Sequence, residues 1–362
     1  MKIFQCGNCN RPVFFENTIC ESCGHWLGYL DSEFEMYALN PAQKTSWQLS
    51  AYKPALYQYC GNFAYNACNW LVPLNDSYQL CTACQINRVI PNLQDADDLD
   101  KWQRLERAKH RLVYSLQRFE LPIQSKIDDA ESGLAFDFLS NKNKAEDEPS
   151  VLTGHDNGVI TLNLEEADSA YREYMRKQMD EPYRTLIGHF RHEIGHYYWD
   201  LLVRPNPKNL AAYRQKFGDE RVDYKEALEK YYKEGPLPFW KSSFISEYAT
   251  AHSWEDWAET WAHYLHLMDT LETAYAFGLS LHPNLQRIST MNMQAGFNPY
   301  YQNNFDRIIE ACTPLTFAVN SLNRSMGQPD LYPFIFSPLI VEKLRFIHHL
   351  LIDYREKVGS NQ

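Results

Sequence analysis

Arg184-Thr185-Leu186-Ile187-Gly188-His189-Phe190-Arg191-His192-Glu193-Ile194-Gly195-His196-Tyr197-Tyr198-Trp199 is the stretch on which the reading of this 362-residue chain turns. On a helix, residues four apart lie on one face a single turn apart, so the imidazoles of His192 and His196 can converge on one ion. Glu193 sits beside them. Its carboxylate can reach a water held there, take its proton during attack on a carbonyl and hand that proton to a leaving amine. The flanking Leu186, Ile187, Tyr197, Tyr198 and Trp199 mark the helix as substantially buried.

A catalytic zinc needs three protein ligands and an open position, so a further donor should stand on a second helix. The chain offers Ser253-Trp254-Glu255-Asp256-Trp257-Ala258-Glu259-Thr260-Trp261-Ala262-His263-Tyr264-Leu265-His266. Glu255 and Glu259 share a face, and His263 and His266 follow by steps of four and three. Trp254, Trp257, Trp261 and Leu265 form the packing stripe beside them. We read Glu255 as the third ligand and Glu259 as the acceptor that orients a ligand imidazole. Glu259, Asp256 and His263 stay open as alternatives for the ligand. Peptide cleavage also needs a donor for the developing oxyanion, and Tyr248, seven residues before Glu255, is the candidate, with His252 as the weaker one. The plain alternative is a packed tyrosine, one of 24 in the chain.

Eight of the nine cysteines precede residue 85. Cys6-x2-Cys9-x10-Cys20-x2-Cys23 presents two knuckles that can complete a four-thiolate zinc site. Cys60, Cys68, Cys81 and Cys84 form a looser second set. Four thiolates leave no open position, so these two zinc ions are structural, with disulfides or free thiols as the competing reading. Cys312 reads as a small buried hydrophobe. The turn-rich head suggests short ribbons tied by metal rather than a conventional core.

Aromatics make up 14% of the chain, which points to a globule and excludes the disordered class. The formal net charge is −11; eight bound thiolates and three zinc ions would bring it to about −13. That balance disfavours a broad nucleic-acid or anionic-membrane surface. Met1-Lys2-Ile3-Phe4-Gln5-Cys6 lacks the apolar stretch of a secretory signal and no apolar run approaches membrane-spanning length, so a soluble, cytoplasmic protein is expected.

The chain divides at this level into a zinc-ribbon region over residues 1–95, a connecting helix over 96–119 and a catalytic domain over 120–362. Residues 141–150 are polar and predict an exposed loop. Residues 151–164 predict two short strands around Asp156-Asn157-Gly158, the second an edge strand able to hold an extended substrate. Helical spacing covers 165–202, 253–278, 302–325 and 338–357.

These residues resemble the zinc-binding metallopeptidases that carry an amino-terminal zinc-ribbon region before an H-E-I-G-H domain, the likeness covering almost the whole chain. Besides His192 to His196 it includes Phe217-Gly218-Asp219-Glu220-Arg221-Val222-Asp223-Tyr224 and the run from Glu255 to Leu265. Around Glu255, Glu259 and Tyr248 the sequence is also similar to anthrax lethal factor and the Pro-Pro endopeptidases, gluzincins with a ligand Glu, an acid four later and a Tyr seven earlier; residues 203–240 look like an insertion relative to them. The resemblance implies peptidase activity without naming a substrate.

The expectation is an α+β protein: a mostly helical, zincin-type metallopeptidase domain with a small edge-strand sheet, preceded by the zinc ribbon. It would hydrolyse peptide or protein substrates with one catalytic and two structural zinc ions, the head being free to engage a protein partner. Two rivals stand beside it. One is a catalytically idle zinc protein with a binding or regulatory role; the other is a nucleic-acid-binding zinc ribbon with an appended peptidase.

Overall fold

In a computed structural model of the chain, residues 1–43, 46–50, 53–142, 150–178, 181, 183–284 and 289–360 are described. Most of the polar stretch expected as a loop, residues 143–149, lies outside them. Two compact units emerge. One comprises Lys2–Gln117 and Pro122–Arg172, the other Arg118–Leu121 and Glu173–Gln362 together with Met1. Among the described residues no helix is long and apolar enough to cross a membrane.

The first unit is a set of small sheets around one long helix. Phe4–Gln5 pairs with Pro12–Val13, and Leu27–Leu30 with Glu35–Ala38. Asn40–Gln43, Ser46–Ser50, Lys53–Tyr59 and Leu71–Pro73 make a four-stranded antiparallel meander. The expected coreless head is corrected here. Phe4, Phe15, Tyr29, Trp70 and Tyr114 are all buried, with Phe15 and Tyr29 ring centroids 4.8 Å apart and Tyr29 and Trp70 4.9 Å apart. Edge-to-face packing of this kind adds to the area that each ring removes from water. Tyr114 reaches this core from the helix Ala96–Arg118, whose Trp102, Leu105, Leu112 and Leu116 are fully buried.

A second four-stranded sheet runs in the order 154–156, 159–163, 135–139, 87–89. Asn157 and Gly158 both have positive φ, 46° and 78°, the geometry of a tight two-residue hairpin turn. At Gly158 a Cβ would also lie 2.3 Å from the carbonyl oxygen of Gly133. The hairpin thus forms as expected, but its second strand is not an edge. Val159–Asn163 is covered on one side by Gly154–Asp156 and pairs in parallel with Ala135–Leu139 on the other, since the tight turn folds the preceding strand onto the outside.

The second unit is helical. The helical spacing over 165–202 takes the form of a 3-10 turn at Leu164–Ala167, a helix at Ser169–Gln178 and a helix at Leu186–Leu202. The Thr185 hydroxyl accepts from the Gly188 N–H at 3.1 Å to start the last segment afresh. The stretch read as an insertion contains two further helices, Pro207–Phe217 and Tyr224–Glu234, capped by the side chains of Asn206 and Asp223. Ser253–Ala276, Phe305–Ser325 and Pro338–Ser360 complete the unit.

The helices 186–202 and 253–276 pack face to face, and Gly195 makes the approach possible. A Cβ there would meet the Ala258 Cα and the Trp261 Cβ at 3.2 Å. Trp257 uses the same closeness to donate its indole N–H to the Gly195 carbonyl at 2.8 Å. Trp257, Trp261 and Tyr198 are fully buried around the crossing.

Candidate metal centre

The crossing brings His192, His196 and Glu255 together. One donor atom from each lies within 4.8 Å of the others. His192 Nε2 is 3.0 Å from Glu255 Oε2 and 3.3 Å from His196 Nε2, and His196 Nε2 is 3.6 Å from Glu255 Oε1. Ligands about 2.0–2.1 Å from a tetrahedral zinc stand about 3.3 Å from one another, so this donor set fits the ion in both chemistry and spacing.

The remaining candidates occupy distinct places. Glu259 accepts from His192 Nδ1 at 2.7 Å, on the ring nitrogen opposite the converging one. Asp256 bonds the Lys343 ammonium at 2.6 Å, and His263 Nδ1 lies 2.6 Å from the Tyr332 hydroxyl, so neither joins the convergent set. His252 caps the 253–276 helix, its Nδ1 accepting from the Trp254 N–H at 3.0 Å and its Nε2 donating to the Val222 carbonyl at 3.1 Å. The Tyr248 ring centroid lies 6.0 Å from that of His192. Trp254 covers His196, with centroids 4.0 Å apart.

Electrostatics follow from burial and pairing. Burial opposes charge on His192, yet hydrogen bonds with Glu255 and Glu259 hold its imidazole well above the usual histidine range. Burial likewise opposes ionisation of Glu255, but His196 and His192 keep it well below the usual carboxylate range. Glu193 is buried beside them. Burial raises its carboxyl against the pull of the two histidines, the direction a proton carrier working near neutral pH requires.

Sequence reasoning missed one group at this centre. The Tyr224 hydroxyl donates to Glu255 Oε1 at 2.8 Å, from the first turn of the helix 224–234. The only signal was its position at the end of the Phe217–Tyr224 motif.

In the first unit the cysteines gather as two sets of four, each with all sulfurs within 4.8 Å. Cys6 and Cys23, Cys9 and Cys20, and Cys68 and Cys81 stand 3.6 Å apart. Sulfurs on a common tetrahedral zinc are separated by about 3.8 Å. Cys312 is buried in the second unit, its thiol pushed up to about 12 by desolvation.

Comparison with known proteins gives the same two parts. The family described as "Putative zinc-binding metallo-peptidase" matches residues 98–350, and a zinc-ribbon domain family matches residues 3–95. The chain is 42% identical over 348 residues to uncharacterized proteins of Mycobacterium tuberculosis and Mycobacterium bovis, covering 96% of this chain and 94% of theirs. No solved structure matches it.

Proposed function

The chain belongs to the zinc-binding metallo-peptidase family whose model spans residues 98–350, and from that premise we propose that it is a zinc-dependent endopeptidase. The observation that carries the proposal is the convergence of His192, His196 and Glu255 with Glu193 alongside. His192, His196 and Glu255 would hold the zinc, which when bound would supply a Lewis acid for the scissile carbonyl and for a water. Glu193 takes the proton at its carboxylate and returns it to the amine nitrogen as the peptide bond breaks. Glu259 fixes the His192 ring through Nδ1, leaving Nε2 as the donor. The Tyr248 phenol, kept protonated by burial, donates to the oxyanion.

The two four-cysteine sets, Cys6, Cys9, Cys20, Cys23 and Cys60, Cys68, Cys81, Cys84, hold structural zinc in this reading. Cysteines gathered as ligands rather than disulfides suit a reducing, cytoplasmic setting.

The test is turnover of a mixed peptide library by the purified full-length protein. Cleavage should cease on chelation and fall at least about 100-fold in Glu193→Gln, with zinc still bound to the variant. Stoichiometric zinc with no cleavage of any peptide would sink the enzymatic reading and leave the idle zinc protein.

A further inference from the structure

The second cysteine set has a fifth donor beside it. His110 is buried on the helix Ala96–Arg118. Its Nδ1 stands 2.7 Å from the backbone carbonyl oxygen of Glu106, which can only accept, so the ring proton sits on Nδ1 and Nε2 is left with its lone pair. That Nε2 lies 3.2 Å from Cys68 Sγ, 3.7 Å from Cys84 Sγ and 3.9 Å from Cys81 Sγ. In a site of three thiolates and one imidazole the nitrogen stands about 3.5 Å from each sulfur, so the three distances bracket the value expected of a ligand.

Cys60 Sγ lies within 4.8 Å of the same three sulfurs and is the other donor to that triangle. Two donors at similar distances from one triangle cannot occupy the same side of it without colliding. His110 Nε2 therefore caps the face opposite Cys60. The triangle of Cys68, Cys81 and Cys84 is shared by two adjoining tetrahedral holes, one closed by a thiolate and one by an imidazole.

We infer that His110 is an alternative ligand of this site, and that zinc passes from the Cys60 hole to the His110 hole when the Cys60 thiolate is lost from coordination. The inference rests on the zinc reading of the four cysteines. Charge favours the exchange once the released Cys60 sulfur takes a proton from solvent and becomes a neutral thiol, because four thiolates on a divalent ion leave a net −2 in a buried place, whereas three thiolates, a neutral imidazole and a thiol leave −1. Geometry favours it too. The Glu106 carbonyl already orients the ring, and the buried Lys109 ammonium neutralises the Glu106 carboxylate at 2.7 Å, so no rearrangement of the helix is needed.

The experiment uses the full-length chain loaded with cadmium-113, whose resonance reports the number of sulfur ligands site by site, alongside zinc counting. Wild type should give a four-sulfur signal for this set, and His110→Ala should keep it. Cys60→Ala should retain the ion, its resonance moved upfield to the three-sulfur, one-nitrogen position. Cys60→Ala combined with His110→Ala should lose one ion per chain while the other sites stay loaded, which shows that the protein still folds. Loss of the ion in Cys60→Ala alone, or its retention in the double variant, overturns the role of His110. A wild-type chain with no metal on these cysteines overturns the zinc reading itself, a separate result.

Discussion

Tyr224 donates to the Glu255 oxygen that faces His196, so its hydroxyl fixes the orientation of the carboxylate proposed as the third ligand. Removing such a partner typically weakens metal affinity about 10- to 100-fold. Tyr224→Phe should show that loss in chelator competition at the histidine centre, and an unchanged affinity would remove Tyr224 from the site's support. A second single-residue prediction concerns His348. It accepts from the Tyr264 hydroxyl at 2.9 Å and donates to the Asn303 carbonyl at 3.3 Å, and burial pushes its imidazole down to about 4. Its folded-state value lies below the unfolded value of about 6.5, so the unfolded chain takes up the proton first. The contribution is therefore full above pH 6.5 and is lost as pH falls to 4, amounting to roughly 3 kcal/mol. His348→Gln removes the titration, and thermal melts at pH 7 and pH 4.5 should differ less in the variant than in wild type. Parallel pH dependences would contradict this. Neither Tyr224 nor His110 could be found from spacing, because each meets its partners only through tertiary approach. His192 and His196 were legible because one helical turn aligns them, and Glu193 because it adjoins them in the chain.

At the scale of elements, the crossing of helices 186–202 and 253–276 sets the geometry on which the proposed chemistry depends. Gly195→Val would place its side chain against the Ala258 Cα and Trp261, forcing the helices apart. Overpacking of this kind costs about 1–3 kcal/mol. Denaturant unfolding should show that loss together with weaker zinc binding at the histidines, whereas loss of stability alone would detach Gly195 from the metal centre. Both helices announced themselves through apolar spacing, and Glu255 and Glu259 through their shared face. What escaped was the pair of helices at 207–217 and 224–234. The first buries only Tyr213 and Phe217 and the second buries none of its side chains, so neither shows a continuous apolar face, and side-chain caps from Asn206 and Asp223 start them.

At the scale of the whole molecule, the head was read as ribbons held by metal, and its aromatic core went unseen. Phe4, Phe15, Tyr29, Trp70 and Tyr114 come from separate segments, so no local period marks them as a cluster. Core and cysteine sites together imply a graded response to zinc removal. Mild chelation should empty the open histidine centre first, ending turnover with little change in the head. Exhaustive chelation should then strip the thiolate sites, whose binding energy is folding energy of order 10 kcal/mol in small zinc modules. Hydrogen exchange across residues 3–95 is the readout: rapid exchange there at the first stage would contradict this order.

The indole of Trp254, lying 4.0 Å from the His196 ring, gives the protein an optical handle of its own. An excited indole at that distance is quenched by a paramagnetic ion on the imidazole, so titrating metal-free protein with cobalt should dim its ultraviolet emission as the histidines fill. Trp254→Phe should abolish that component and leave the signal of the other tryptophans. Occupancy of the centre could then be followed in real time, in solution and before any substrate is known.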